Sequence, residues 1–125
     1  MGRSRVQAIG ELAESLALSL LEDHGLVLVA RNFRSRFGEI DLVMRDGASL
    51  VFVEVRCRQP GNPVDALQSI GPQKRRRIAL TAAWFLASHR EFRDAVVRFD
   101  VAALDGSPAD AGAVRWIRDA FRPGN

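Results

Sequence analysis

Cysteine and histidine are scarce in this chain of 125 residues, which excludes two kinds of stabilising site. Cys57 is the single cysteine, so no internal disulfide can form, and this favours a reducing compartment. His24 and His89 stand alone in the sequence and form no cluster of the kind that binds zinc. A chain of this length, with 47% hydrophobic residues, can bury enough surface to fold without either device.

Long apolar runs are also missing. No stretch of the sequence approaches the ~20 apolar residues of a membrane-spanning helix. The first fifteen residues carry Glu11 and Glu14, whereas a secretion signal needs an unbroken apolar core. We therefore expect a cytoplasmic protein with no membrane partner.

Lysine is almost absent from a chain that is nevertheless basic. The net charge is +3 and the pI about 10.3, and Lys74 is the single lysine among the basic residues. A surface rich in arginine suits phosphate, because one guanidinium group binds two oxygens at once. A coding bias towards arginine and alanine would give the same composition, so charge alone leaves a nucleic-acid partner as one of two interpretations.

The hydrophobic pattern predicts an α/β fold, with a small mixed sheet flanked by helices in a single domain over 1–125. The loops are expected at 59–63 and 105–113, where glycine, proline and polar residues gather. The predicted elements are a helix over 4–23, strands over 26–34, 39–45 and 50–58, a short helix over 64–69, a longer helix from 71–72 onwards, and strands over 95–104 and 114–121.

The first helix has an apolar stripe at helical spacing, and Glu11 lies nearly opposite that stripe on a helical wheel. Periodicity alone therefore predicts that Glu11 is a solvated surface residue. The stripe consists of Ile9, Leu12, Ala13, Leu16 and Leu20.

The segment "GEIDLVMRDGASLVFVEVRCR", residues 38–58, places charged residues inside two predicted strands. Side chains alternate between faces along a strand, so Glu39, Asp41, Val43 and Arg45 are expected on one face of the first strand. On the second strand, Glu54 shares a face with Leu50, Phe52, Arg56 and Arg58, while Val51, Val53, Val55 and Cys57 form the opposite, apolar face. A four-residue loop over 46–49 would set Asp41 directly opposite Glu54, and a two-residue loop would make them diagonal neighbours.

Two carboxylates that face each other repel, so this pair needs a compensating charge. A divalent cation would supply it, and ligands that are all oxygen favour Mg²⁺ or Mn²⁺ over zinc. The alternative is that Arg56 or Arg58 pairs with the acids at a sheet edge.

The spacing of Asp41 and the "EVR" at 54–56 resembles the PD-(D/E)xK nuclease motif. The longer stretch "ARNFRSRFGEIDLVMRDGASLVFVEVRCR" resembles the YraN-type family of small bacterial proteins, which are similar to restriction endonucleases and Holliday-junction resolvases. The resemblance extends to "AIGELAE", "QKRRRIALTAAWFL" and "VRFDVAAL", and so covers most of the chain.

This resemblance implies a restriction-endonuclease-like fold and a site in which Asp41 and Glu54 bind Mg²⁺ or Mn²⁺ and are catalytic together with Arg56. Glu11 matches the acid on the first helix of resolvase-like nucleases and would be a third metal ligand. Gln73 or Lys74 falls where such folds sometimes carry a further polar active-site residue. Such relatives often act as dimers, although no dimer surface is identifiable from the sequence.

Arg56 departs from the motif, which has lysine at this position. Arginine stabilises charge on a phosphate but stays protonated, so it cannot act as a base. Three interpretations therefore stand. One is a Mg-dependent endonuclease that acts on structured or damaged DNA, and the second is a non-catalytic nucleic-acid-binding module on the same scaffold. The third is a structural partner protein with a vestigial acidic pocket.

Basic residues flank the acidic hairpin on both sides in the sequence. Arg34 and Arg36 precede it, and Lys74, Arg75, Arg76 and Arg77 open the long helix, where a helix N-terminus favours phosphate. We expect these six residues to contact nucleic acid, with DNA as the favoured partner, although the helix cluster would also suit a solvated helix end.

Overall fold

The computed structural model describes residues 4–58, 67–105 and 114–122. It confirms the predicted α/β fold, with five strands and two α-helices in the described ranges. The elements are α1 (Arg5–Asp23), β1 (Val27–Ser35), β2 (Gly38–Asp46), β3 (Ser49–Arg58), α2 (Pro72–Ser88), β4 (Val96–Asp105) and β5 (Val114–Phe121), with a 3₁₀ turn at Arg90–Phe92.

The strands form one mixed sheet in the order β1-β2-β3-β4-β5. Only β3 and β4 run parallel, and the other neighbouring pairs are antiparallel. A parallel pair needs a crossover connection, which α2 provides. This arrangement is consistent with a small restriction-endonuclease-like fold, and it places β3 at the centre of the sheet.

Each face of the sheet is covered by one helix. Helix α2 packs Ile78, Ala82 and Phe85 against a cluster that includes Phe52 and Phe99. Helix α1 packs against the other face, where the buried cluster is Ala17, Leu21, Leu26, Leu42, Met44, Val51, Val53 and Ala102. Burial of both faces explains why β3 is almost continuously apolar until Glu54.

The buried stripe of α1 differs from the predicted one. The helix buries Ala13, Ala17 and Leu21, whereas Ile9 and Leu12 are 39% and 47% exposed. The prediction followed the largest apolar residues, but small alanines let the helix approach the sheet closely. As a result Glu11 is half-buried rather than fully solvated.

The hairpin between β2 and β3 has the register that sets Asp41 and Glu54 opposite each other. Asp46 pairs with Ser49, so the turn consists of Gly47 and Ala48, and Gly47 adopts the left-handed φ of 59° that glycine tolerates best. Because Leu42 pairs with Val53, this two-residue turn gives the register in which Asp41 follows opposite Glu54. This is the register predicted for a connection over 46–49, in which Arg45 pairs with Leu50, and the diagonal alternative is not observed.

Strict alternation of faces also fails along β2, because Ile40 and Val43 belong to the same buried cluster. Asn32, which lies across from Asp41 between the Arg31↔Leu42 and Phe33↔Ile40 pairs, has a left-handed φ of 55°. This local twist separates the faces on either side of Asp41. At the end of β3, Cys57 is exposed rather than buried in the apolar face.

Three predicted segments fall wholly or partly outside the described residues. These are the loop at 59–63, residues 106–113 of the predicted loop at 105–113, whose first residue ends β4, and the first half of the short helix, 64–66. The second half, 67–69, is a turn and not a helix. Neither α1 nor α2 has the length and apolar character needed to cross a membrane.

Candidate active site

A pocket of about 470 Å³ opens where β2 and β3 separate beside the first turns of α2. The tip of the β1–β2 hairpin forms one wall, and α2 forms the other. Its lining residues are those of 35–39, Asp41, Glu54, Lys74, Arg77 and Ile78.

The hairpin tip is held against α2 by a short chain of hydroxyl contacts. Ser35 Oγ lies 3.2 Å from Thr81 Oγ1, and the Phe37 amide donates to Ser35 Oγ at 3.1 Å. Gly38 has a φ of 156° and lies close to Arg77 and Thr81, which is where a side chain would meet the helix. These contacts fix the wall of the pocket opposite the two acids.

Asp41 occupies the floor of the pocket, where the β2–β3 ladder ends. Its Oδ2 accepts a hydrogen bond of 2.8 Å from the Val55 amide, which holds the carboxyl group between the two strands. Burial, and after it the charge of the neighbouring Glu54 carboxylate, raises the pKa of Asp41 from 3.8 to about 7. Asp41 is thus a carboxyl group that lacks a cationic partner among the described residues.

Glu54 is the more deeply buried acid, with 5% of its side chain exposed. Its Oε1 lies 3.2 Å from Lys74 Nζ and 3.7 Å from Arg56 Nη1. Burial raises the pKa of Glu54, and the charge of Lys74, followed by that of Arg56, opposes this rise. The nearest cation at this acid is therefore a lysine that comes from α2 and not from the strand.

Arg56 is turned towards the turn that precedes α2. Its Nε donates to Ser69 Oγ at 3.2 Å, and its Nη2 donates to the Ser69 carbonyl at 3.0 Å. The side chain thus bridges Glu54 and Ser69 and is not among the lining residues of the pocket. The alternative in which an arginine pairs with the acids matches this contact, although Lys74 makes the shorter one.

Glu11, the predicted third ligand, lines a separate depression of about 410 Å³ between α1 and β1. The α1 acid that acts on Asp41 is Glu14, which raises the pKa of Asp41 through its charge. Glu14 Oε1 pairs with Arg31 Nε at 3.4 Å, and 14% of its side chain is exposed. Glu14 was not among the predicted site residues, although its position beside Ala13 and Ala17 sets it at the edge of the buried stripe.

Asn32 connects two acids at the rim. In the orientation that satisfies its hydrogen bonds, the amide nitrogen lies 3.0 Å from Glu39 Oε1 and 3.1 Å from Glu14 Oε1. Glu14 and Glu39 both raise the pKa of Asp41. The Asn32 amide therefore holds two negatively charged side chains near Asp41. The left-handed backbone of Asn32 directs its side chain towards them.

The structure gives the six predicted nucleic-acid contacts different surroundings. Arg36, Lys74 and Arg77 line the pocket, and Arg76 is exposed on α2. Arg34 is exposed and pairs with Glu39 at 3.4 Å. Arg75 has a structural role, because its Nε donates to the Ile70 carbonyl at 2.8 Å and its guanidinium group lies over the Phe121 ring.

The donor set suits a hard cation more than zinc. Asp41 and Glu54 offer carboxylate oxygens in one pocket, and burial makes their negative charge costly without a positive partner. In the described part of the chain, no group of three or more His, Cys, Asp and Glu side chains is arranged to hold a metal. A cation here would therefore have two protein carboxylates and would complete its shell with water, as Mg²⁺ commonly does.

Comparison with known proteins gives consistent matches along most of the chain. A family model described as "Uncharacterised protein family UPF0102" matches residues 13–104. A UPF0102 protein of Methylobacillus flagellatus is 47% identical over 93% of this chain and 98% of its own length. Similar relatives occur in Pseudomonas fluorescens, with 44% identity over 92% of this chain and 94% of the relative, and in Legionella pneumophila, with 40% identity over 94% and 98%. With a shared family model and such identity over nearly complete lengths, the chain belongs to the UPF0102 family, the YraN-type family that its motifs resemble.

Proposed function

We propose that this protein is a metal-dependent, endonuclease-like enzyme that hydrolyses phosphodiester bonds in structured or damaged DNA. Asp41 and Glu54 would hold Mg²⁺ or Mn²⁺ in the pocket between β2 and β3. The observation that carries the proposal is that two carboxyl groups, the buried Glu54 and the half-buried Asp41, line one pocket, where the pKa of Asp41 is raised to about 7. A fold gains nothing in stability from such an unpaired acid, so a role in binding a cation is the natural reason for it.

The charges around the pocket support a phosphate substrate. Arg36, Lys74 and Arg77 surround the acids, so a phosphodiester at the pocket mouth would meet cations while the acids face its metal. The first turn of α2 contains no acidic residue, although the positive end of a helix favours acids there and disfavours cations. Basic residues at that position carry a small cost in stability and are therefore better explained by anion binding.

The charged residues in and around the pocket then have distinct roles in the proposed reaction. Bound Mg²⁺ or Mn²⁺ would neutralise charge on the phosphate and make water more acidic. Asp41, held by the Val55 amide, keeps one oxygen outside that hydrogen bond. Arg56 orients Glu54 through its two bonds to Ser69, and the lining cations steady the phosphate. Glu14 and Glu39 deepen the negative potential at Asp41.

A second candidate is a nucleic-acid-binding module without cleavage. The observation that favours it is the position of Arg56, whose side chain faces Ser69 and leaves the strand without a lysine at the motif position. The basic rim would still bind nucleic acid in this case, and the acids would serve only to bind a cation.

The two candidates are separated by a cleavage panel of branched, flapped, nicked and single-stranded DNA with Mg²⁺ or Mn²⁺. We expect nicks or cuts in at least one branched substrate, abolished by chelation and by Asp41→Asn or Glu54→Gln. Arg93→Gln, a change at an exposed arginine that pairs with Asp94, is the matched control and should cleave normally. Metal-dependent binding with no cut strand in any substrate would favour the binding module, and no binding at low salt would refute both.

A further inference from the structure

We propose that Lys74 is a resident counterion of Glu54 that a divalent cation displaces, so that binding of the metal releases the ammonium group towards the phosphate site. The inference rests on the proposed metal site and adds a regulatory step to it. The position of Lys74 would report whether the pocket is loaded.

Glu54 requires a positive partner whether or not a metal is present. Only 5% of its side chain is exposed, so water cannot stabilise its charge. Lys74 Nζ provides the nearest positive charge at 3.2 Å. A divalent cation at the same carboxylate would repel this ammonium group strongly over a few ångströms in a partly dehydrated pocket. The two cations therefore compete for one acid.

The two partners of Glu54 differ in their freedom to leave. Arg56 makes two further hydrogen bonds to Ser69, and its contact to Glu54 is the longer one, at 3.7 Å. Lys74 has 43% of its side chain exposed, and Glu54 is its single salt-bridge partner among the residues that the structure describes. Its flexible stem begins in the first turn of α2, so the ammonium group can move without any change in the backbone.

The released ammonium group would remain within the same pocket. Lys74 and Arg77 both line it from α2, and Arg36 lines it from the hairpin tip. A phosphate that approaches a loaded metal would then meet three cations, whereas in the metal-free pocket one of them is occupied by Glu54. The displacement thus couples metal binding to phosphate binding.

The first test compares Mg²⁺ affinities of Lys74→Gln and the wild type. The Val55 amide, which donates to Asp41, is an NMR reporter for Mg²⁺ in the pocket. Measurements at pH ~8.5 limit competition from protons at Asp41, whose pKa is raised to about 7. We expect Lys74→Gln to bind Mg²⁺ about tenfold more tightly, since about 1.4 kcal/mol of competition is removed. Arg77→Gln removes the same charge from the same pocket wall but no contact to Glu54, and we expect a change of about twofold or less.

The second test uses the fact that Lys74 is the single lysine of the chain. Its acetylation by an amine-directed reagent can be followed by mass spectrometry with and without Mg²⁺, with free Nα-acetyl-lysine as an internal reference. We expect saturating Mg²⁺ to raise the acetylation rate several-fold in the wild type. Asp41→Asn, which removes one metal ligand and keeps the Lys74–Glu54 pair, should show little increase.

The outcomes separate this inference from the proposed function. Equal Mg²⁺ affinity in Lys74→Gln, Arg77→Gln and the wild type, or an acetylation rate that Mg²⁺ does not change, would overturn the displacement alone. If Mg²⁺ moves the Val55 signal in no variant, both proposals are wrong. If the displacement is observed but no DNA substrate is cut, the inference stands and the hydrolysis does not.

Discussion

Asp41→Asn should make the metal-free protein more stable than the wild type at neutral pH. Asparagine keeps an oxygen that can accept the hydrogen bond from the Val55 amide, and it removes the acid whose ionisation is disfavoured. The pKa of Asp41 rises from 3.8 to about 7 in the folded protein, so the folded state holds this proton more tightly than the unfolded chain does. The stability that this carboxyl group contributes is complete below pH ~4 and disappears as the pH rises through about 7.

The size of the effect follows from this pKa shift. Each pH unit between the two pKa values costs about 1.4 kcal/mol, so the whole shift corresponds to roughly 4 kcal/mol. About two of those units lie between pH 5 and pH 7, which gives roughly 2.7 kcal/mol in that window. Because Asp41 is half-buried and partly screened by water, we expect about 2 kcal/mol.

Urea unfolding at pH 5 and pH 8, in the presence of a chelator, measures this difference. The variant should gain about 2 kcal/mol relative to the wild type between the two pH values. Asp94→Asn, at an aspartate with 95% of its side chain exposed, is the matched control and should show no such gain. A difference between Asp41→Asn and the wild type that is the same at both pH values would refute the account of Asp41 as a strained acid.

Three further predictions concern other parts of the molecule. Asp100 is fully buried and accepts hydrogen bonds from Arg98, Trp116 and the Asp119 amide. Asp100→Ala should therefore lower the free energy of unfolding by about 3–5 kcal/mol, and the folded fraction should bind Mg²⁺ with unchanged affinity. Replacing Arg76 and Arg77 with alanine should make the plot of log K for duplex DNA against log salt concentration less steep. The slope should fall by ~0.9 for each phosphate group that the variant no longer neutralises. An unchanged slope would exclude this surface as a DNA contact. Arg56→Ala removes both bonds to Ser69, so it should lower unfolding stability by about 1–3 kcal/mol, and a wild-type melting temperature would contradict the bridging role.

The fold was largely predictable because most of its signals are local. The alternation in β2 and β3, the glycine at the turn and the proline that opens α2 each specify their own segment. Asp41 and Glu54 were identifiable for the same reason, since a hairpin brings them together through a turn of two residues. The groups around these acids were less accessible to sequence reasoning. The charge effect of Glu14 on Asp41 depends on how α1 packs its small alanines on the sheet. The contacts of Asn32 with Glu14 and Glu39 depend on a left-handed residue inside a strand.

The two cations at Glu54 show why a motif fixes residue types more firmly than roles. The lysine position of the motif is two residues after Glu54, so Arg56 was the expected cation from sequence alone. Residues at such spacing share a face of the strand, but the length of an arginine side chain lets its head group reach a neighbouring segment, and here Ser69 supplies two acceptors. The position nearest Glu54 is then filled by Lys74, twenty residues further along the chain, because the β3–α2–β4 crossover returns the first turn of α2 to that end of the sheet. Under the proposed function, the cation that acts beside Glu54 is therefore to be sought in the pocket as a whole and not at the motif position alone, since a strand arginine and a helix lysine both contact this acid.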